Sequence, residues 1–241
     1  MTKLARVFAI FAVLLSGLAA VALDASPAFA TTAPTFVQVS KGSQGGSATS
    51  YQHAMTGVAA GNTVVFQLIY DTSCSVTAHD TVTSNNFTAV TSATWASSGS
   101  WTIATFGYTT TNAQTVVAEA DFGCTVSQVY DSMAELHNVL SIDTTAPQTT
   151  SGFKSSGSED HSQTVTLTKA NCYTVTYAVT TGTSGGTNWP SPSGRVSILG
   201  NDGISRQQVG ITPNSFSSYT LTQSTSIAGY WAMQTSAWCG D

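Results

Sequence analysis

Beyond about residue 30, the chain has almost no helical periodicity, while short runs rich in β-branched and aromatic residues recur between turn-forming clusters. The clearest of these runs is Thr63–Tyr70, where Val, Phe, Leu and Ile dominate, as in a buried strand. Strands at this spacing predict an all-β fold, a single antiparallel β-sandwich of the jelly-roll or immunoglobulin-like kind. No linker or shift in composition divides the sequence, so one domain is expected.

Two further predicted strands, Trp101–Tyr108 and Gln114–Phe122, are separated by a turn-forming segment and are expected to form a hairpin. Ser127–His137 reads as a longer strand, and a helix through Met133, Leu136 and Leu140 is the alternative. The other predicted strands are Thr164–Lys169, Tyr173–Thr180, Arg195–Leu199, Tyr219–Thr222 and Tyr230–Trp238.

The first thirty residues have the layout of a secretory signal peptide. A basic start is followed by an apolar run from Val7 to Leu23, and Ala28-Phe29-Ala30 places small residues where a signal peptidase cleaves. The sequence therefore predicts a signal peptide at 1–30 and a β-sandwich domain at 31–241, with Thr31 as the mature N-terminus. An uncleaved membrane anchor is the alternative, and no second apolar run has membrane length.

The mature chain is sparsely charged and mildly acidic. Of seven basic and twelve acidic residues, cleavage removes two and one, which leaves five and eleven and a net charge of −6. Such a surface offers nothing to phosphates, so nucleic acid is not an expected partner. No cofactor is predicted either.

The four cysteines are well separated along the chain. Cys74, Cys124, Cys172 and Cys239 form no Cys-x-x-Cys motif, which argues against a zinc site or a redox motif. In an exported chain an even number of cysteines indicates disulfides, and three pairings of the four are possible.

Several segments resemble secreted bacterial jelly-roll or immunoglobulin-like β-sandwich domains of surface and extracellular proteins, which are mostly of unassigned function. They are Thr56–Val65, Ser75–Val90, Phe106–Tyr108 with Thr115–Val117, Ala134–Val139 and Gly229–Met233. The resemblance spans residues 35–239 and implies a sandwich in an extracellular setting, without implying a reaction.

The strand order implied by this resemblance also implies a disulfide pairing. Cys74 and Cys124 would share one edge of a sheet, as would Cys172 and Cys239 at the start and end of their strands. The expected bridges are therefore Cys74–Cys124 and Cys172–Cys239, and four buried free thiols are the alternative.

No catalytic residue is predicted from local motifs. Gly182–Gly186 matches the G-x-S-x-G elbow, but the segment after it cannot start a helix, so a loop is expected. Glu119 and Asp121 point to the same face of a predicted strand, yet Cys124 stands where a jelly-roll glycan hydrolase has its second glutamate.

The histidines show no metal-binding or catalytic spacing, so no metal site is predicted. They are His53, His79, His137 and His161. Asn86-Phe87-Thr88 is an N-glycosylation sequon, expected to stay unmodified in a bacterial host.

Three tryptophans near predicted loops, Trp95, Trp101 and Trp189, are the candidate binding residues, because an exposed aromatic ring can stack on a sugar. The alternative is that these rings cap the ends of the sandwich core. Trp231 and Trp238 lie on the last predicted strand and are expected in the core.

The sequence thus favours a secreted, non-enzymatic module for extracellular binding or adhesion to a glycan or protein surface. The first alternative is a fibre or matrix subunit, in which Thr31–Ser40 would pair with the open sheet edge of a neighbouring copy. The second is a secreted hydrolase with a site assembled from distant loops, for which Glu119, Asp121 and Glu135 are the first candidates.

Overall fold

The computed structural model describes residues 32–96, 100–145, 148–154, 159–180, 188–191, 196–199, 207–211, 218–225 and 229–240. Within these ranges the chain is all-β, its strands pair antiparallel, and no helix is present. The predicted fold class is therefore confirmed. The predicted signal peptide and the Gly182–Gly186 motif lie outside the described residues.

The sixteen strands found among the described residues are numbered in chain order. They are β1 Thr35–Val58, β2 Thr63–Tyr70, β3 Val76–Asp80, β4 Asn85–Asn86, β5 Thr88–Ala96, β6 Ser100–Thr109, β7 Gln114–His137, β8 Ser141–Ile142, β9 Gln148–Lys154, β10 Glu159–Thr166, β11 Cys172–Thr180, β12 Asn188–Ser191, β13 Val196–Leu199, β14 Gln207–Ile211, β15 Ser218–Thr225 and β16 Gly229–Cys239.

The longest strands, β1 and β7, form one antiparallel ribbon of 24 residues each. The first half of β1 pairs with the second half of β7, and the second half of β1 pairs with the first half of β7. The register shifts between Gly45 and Ser50, and Gly46 there has φ +99°, a backbone angle that glycine adopts without steric strain. The ribbon bends at this point.

The two halves of the bent ribbon pair with two different layers of strands. The second half of β7 pairs with β2, which continues to β6 and β5, whereas the first half of β7 pairs with β3, which continues to β4. A buried core between the layers draws apolar side chains from both halves, including Met55, Phe66, Phe106, Val116 and Met133.

The predicted hairpin of the β6 and β7 segments is wrong, although both strands exist. β6 pairs with β2 and β5, and the first half of β7 pairs with β1 and β3. Between Thr109 and Gln114 the chain passes from one layer to the other. The turn residues therefore connect two layers and do not form a hairpin. The strand predicted at Ser127–His137 is confirmed as part of β7, which excludes the helical alternative.

A second sheet, ordered β13-β14-β11-β16 with β8 and β9 beyond β16, packs on the outer face of the β2 layer. Trp238 is buried at this interface, as predicted for the core, next to Val65, Leu136 and Val175. A Cβ atom on Gly107 would come within 2.5 Å of the Trp238 ring, so glycine is required there. A third sheet, β10-β15-β12, shares a core with the β11/β16 pair.

Of the two expected disulfides, Cys172–Cys239 is confirmed. The two cysteines face each other in the β11/β16 ladder and are fully buried. Cys74 and Cys124 are free thiols in the structure, so the other expected bridge is absent from it.

The segment considered for strand donation is already paired within its own chain. Thr35 lies opposite His137 and Ser40 lies opposite Met133, so the residues from 35 to 40 form the start of β1. Strand donation by this segment would require the β1/β7 ladder to open.

Asp143, just after β8, is a buried carboxylate that accepts five hydrogen bonds. The backbone N–H and hydroxyl groups of Thr145 and Thr168 donate four of them, at 2.6–3.1 Å, and Lys169 N donates the fifth at 3.2 Å. Burial alone would raise the pKa of Asp143, but these hydrogen bonds outweigh it and lower the pKa from 3.8 to about 2.

We expect Asp143→Asn to lower the free energy of unfolding at pH 7 by about 2 kcal/mol. The folded-state pKa lies below the unfolded one, so this stability is present above about pH 4 and is lost as the pH falls toward 2. Urea unfolding of both proteins from pH 7 to pH 2 should show the difference shrinking in that window. Asp121→Asn, on a half-exposed side chain, serves as the control. If the difference in unfolding free energy between wild type and Asp143→Asn stayed constant down to pH 2, it would contradict the lowered pKa of Asp143.

Candidate functional site

Three polar side chains of the β1/β7 ribbon contact one another in a row, beside the core that lies between the two layers of strands. We call this row of contacts a relay. Ser40 Oγ lies 2.8 Å from His53 Nε2, and His53 Nδ1 contacts Asp131 Oδ2. Ser40 and His53 belong to opposite halves of β1, and Asp131 belongs to the second half of β7. The order hydroxyl, imidazole, carboxylate is that of a Ser-His-Asp triad, which is recognised by geometry and not by sequence position.

The bend in β1 brings the serine and the histidine together. They are 13 residues apart in the sequence, too far to meet along a straight strand. Side-chain hydrogen bonds join the two halves: Gln38 Nε2 donates to Thr56 O at 3.1 Å, and Ser40 Oγ lies 3.5 Å from Ala54 O. We call this meeting line of the two halves, from Gln38–Thr56 to Ser40–Ala54, the β1 seam.

Asp131 is held in place from several sides. It is fully buried, and the Tyr51 hydroxyl donates to its Oδ1 atom while His53 occupies Oδ2. Gly42 lies opposite Asp131 in the ladder, and a Cβ atom there would be 2.2 Å from Tyr51 Oη and 2.6 Å from Asp131 Oδ1. Only glycine at position 42 leaves room for this arrangement.

The partners of His53 define its working tautomer. A carboxylate can only accept, so the proton on the imidazole belongs on Nδ1, facing Asp131. Nε2 is then an acceptor for the Ser40 hydroxyl, which is the orientation a general base needs. The His53 side chain is 13% exposed and Ser40 is half-buried, so the serine end of the relay faces outward from the buried aspartate.

No local sequence pattern indicates this relay. His53 has no metal-binding or catalytic spacing to another histidine, and Ser40 stands out only as the end of the segment considered for strand donation. The glycines at 42, 45 and 46 are the one local sign of unusual backbone in this stretch, and they do not reveal which side chains meet.

The carboxylates first considered for a hydrolase lie elsewhere. Glu119 and Asp121 flank His79, with Asp121 Oδ2 3.1 Å from His79 Nδ1 and Glu119 Oε2 3.6 Å from His79 Nε2. Glu135 is fully buried and accepts from Ala59 N at 2.9 Å and Asn62 Nδ2 at 2.6 Å. Glu135 therefore cross-links the core, and the structure does not bring the three carboxylates together.

Of the candidate binding tryptophans, Trp101 is half-buried and stacks on Tyr130, with ring centroids 6.5 Å apart. Trp95 lies directly opposite Trp101 in the β5/β6 ladder, so the backbone places these two residues side by side. Trp189 lies in β12 of a different sheet. The side chains of Trp95 and Trp189 lie outside the described part of the structure.

Among the described residues, no cluster of three or more His, Cys, Asp or Glu side chains is arranged to hold a metal ion. Likewise, no helix in the described ranges has the length and hydropathy to cross a bilayer. Comparisons with protein-family models, with curated proteins and with solved structures each found no significant match. Any function must therefore be argued from the site itself.

Proposed function

We propose that this chain is an exported serine hydrolase that cleaves small esters with Ser40 as nucleophile, His53 as general base and Asp131 as the residue that orients the histidine. The observation that carries the proposal is the continuous Ser40–His53–Asp131 relay, with Ser40 Oγ 2.8 Å from His53 Nε2. Export is supported by the layout of the first thirty residues.

In the first half of the reaction, Ser40 Oγ attacks the acyl carbon of the ester while its proton passes to His53 Nε2. The imidazolium that forms is stabilised by the neighbouring Asp131 side chain. His53 then gives this proton to the leaving alcohol, and the acyl group remains on Ser40. A water molecule, activated by His53 in the same way, releases the acid and restores the serine.

Small esters are the substrate class that fits the position of the nucleophile. Ser40 is half-buried at the β1 seam, beside His53 and the backbone carbonyl of Ala54, so we expect a small acyl group to reach its Oγ more easily than a bulky one. An ester is also cleaved more easily than an amide because an alcohol is the better leaving group.

A fluorophosphonate probe tests the proposal directly, because such probes phosphonylate activated serines. We expect one probe per mature chain, located at Ser40 by peptide mapping, with labelling lost in both Ser40→Ala and His53→Ala. Ser43→Ala, at an exposed serine on the same strand, is the matched control and should label normally. A folded wild-type protein that takes up no probe, or takes it up elsewhere, would refute the proposed activity.

A second candidate function is glycan recognition at Trp101, favoured by its partly exposed ring stacked on Tyr130 and by Trp95 opposite it. Stacking of sugars on aromatic rings is a common recognition mode. Here we expect the wild-type chain to sediment with insoluble polysaccharide and Trp101→Ala to remain in solution. Trp189→Ala, in another sheet, should sediment like wild type. Equal sedimentation of all three proteins would argue against this surface.

A further inference from the structure

Cys74 and Cys124 face each other at the end of the β3/β7 ladder. Val76 pairs with Phe122, and Gly123 N donates to Ser75 O at 2.9 Å, so the same register places Cys74 directly opposite Cys124. Residues directly opposite in antiparallel strands have Cα atoms roughly 4.5 to 5.5 Å apart, within the range that a disulfide needs.

The two thiols are close neighbours across the ladder. The Cys124 thiol is among the groups that raise the pKa of Cys74, and Thr72 Oγ1 lies 3.4 Å from Cys124 Sγ. The Tyr70 hydroxyl donates to Cys74 O at 2.7 Å, which fixes the backbone on the β2 side of the pair. No large movement is therefore needed to bring the sulfur atoms within bonding distance.

The established disulfide has the same arrangement. Cys172 lies directly opposite Cys239 in the β11/β16 ladder. The difference lies in accessibility: that bridge is fully buried, whereas Cys74 and Cys124 are both partly exposed. Cys74 also lines an open cavity of about 420 Å³, together with Tyr70, Val76 and Phe106, through which a small reagent can reach its sulfur.

We propose that Cys74 and Cys124 form an oxidation site, at which an organic disulfide such as oxidised glutathione converts the two thiols into a second cross-strand disulfide. One cysteine thiolate attacks the disulfide of the oxidant and expels a first thiolate, leaving a mixed disulfide on the protein. The other cysteine thiolate attacks the protein sulfur of that mixed disulfide and expels the second. The cysteines lose two electrons and two protons, and the oxidant is reduced to two thiols.

Attack requires the thiolate, and the environment of Cys74 disfavours it. Burial is the largest effect that raises the pKa of this thiol, followed by the proximity of the Cys124 thiol. The reaction with oxidised glutathione should therefore be slow near pH 7 and faster as the pH rises.

The experiment uses the mature wild-type chain, first treated with mild reductant so that only accessible cysteines carry free thiols. Native alkylation should then label Cys74 and Cys124 and leave the buried Cys172–Cys239 bridge untouched. After incubation with oxidised glutathione at pH 8.5, we expect no reactive thiols, a linked Cys74–Cys124 peptide, and an unfolding midpoint raised by on the order of 10 °C. Reducing the protein again should reverse all three changes.

A Cys74→Ser/Cys124→Ser variant controls for effects of glutathione elsewhere and should melt at the same temperature with and without it. The Cys124→Ser variant should react no further than a glutathione adduct on Cys74, because the second step needs the Cys124 thiolate. Two alkylatable thiols that persist in the wild type, or stable glutathione adducts on both cysteines, would overturn the proposal.

Discussion

Replacing Ser40 with alanine is expected to lower kcat/KM for a short-chain activated ester by at least about 10³-fold, the largest functional effect we anticipate from a single substitution. In the proposed mechanism Ser40 Oγ is the atom that attacks, and no other hydroxyl contacts His53 Nε2 among the described residues. Steady-state hydrolysis by wild type, Ser40→Ala and the exposed control Ser43→Ala provides the measurement.

A double variant separates catalysis from a purely structural role of the β1 seam. If Ser40 and His53 act as one unit, the Ser40→Ala/His53→Ala protein should be no slower than either single variant. If the two residues only hold the seam together, activity should track stability, and the single losses should add. Urea unfolding gives the free energy of unfolding of each variant. If the losses of activity are additive and parallel the losses of stability, the catalytic role is excluded.

Removing the Cys172–Cys239 bridge is expected to have the largest effect on stability. The double variant Cys172→Ser/Cys239→Ser loses a cross-link between residues 67 apart, which in the chain-entropy model lowers the free energy of unfolding by roughly 4 kcal/mol. The unfolding midpoint should fall by on the order of 10 °C. Differential scanning calorimetry after mild reduction, which spares the buried bridge and keeps Cys74 and Cys124 as thiols, measures both quantities.

The matched control is Cys74→Ser/Cys124→Ser, compared with wild type in which that pair is reduced. It also replaces two cross-strand cysteines but removes no covalent link, so its stability should stay within about 1 kcal/mol of that reference. If the two double variants were equally destabilised, the effect would come from the serines and not from the lost bridge.

Local sequence was a good guide to individual strands and a poor guide to their partners. Thr63–Tyr70 was predicted with the bounds of β2 because every residue of that strand is buried and the run is strongly apolar. The turn residues between Thr109 and Gln114 were recognised as a reversal, but a turn sequence does not specify whether the chain returns to the same layer.

The candidate site lay beyond local reasoning for a related reason. Ser40 and His53 meet because β1 bends near Gly45 and Gly46, and the register on either side of that bend is set by pairing with β7. By contrast, the Cys172–Cys239 bridge, which was expected from the strand order that the resemblance implies, is confirmed, because β11 and β16 are neighbours and these cysteines stand at the start of one and the end of the other.

The position of β16 in its sheet has a consequence for how the chain is made. β16 is an interior strand, flanked by β11 on one side and by β8 and β9 on the other, and all three precede it in the sequence. At about 5 to 20 residues per second, translation takes several seconds to pass from Cys172 to Cys239. During that interval β8 and β9 lack the strand with which they pair, and Cys172 lacks its partner and is exposed to mispairing with Cys74 or Cys124.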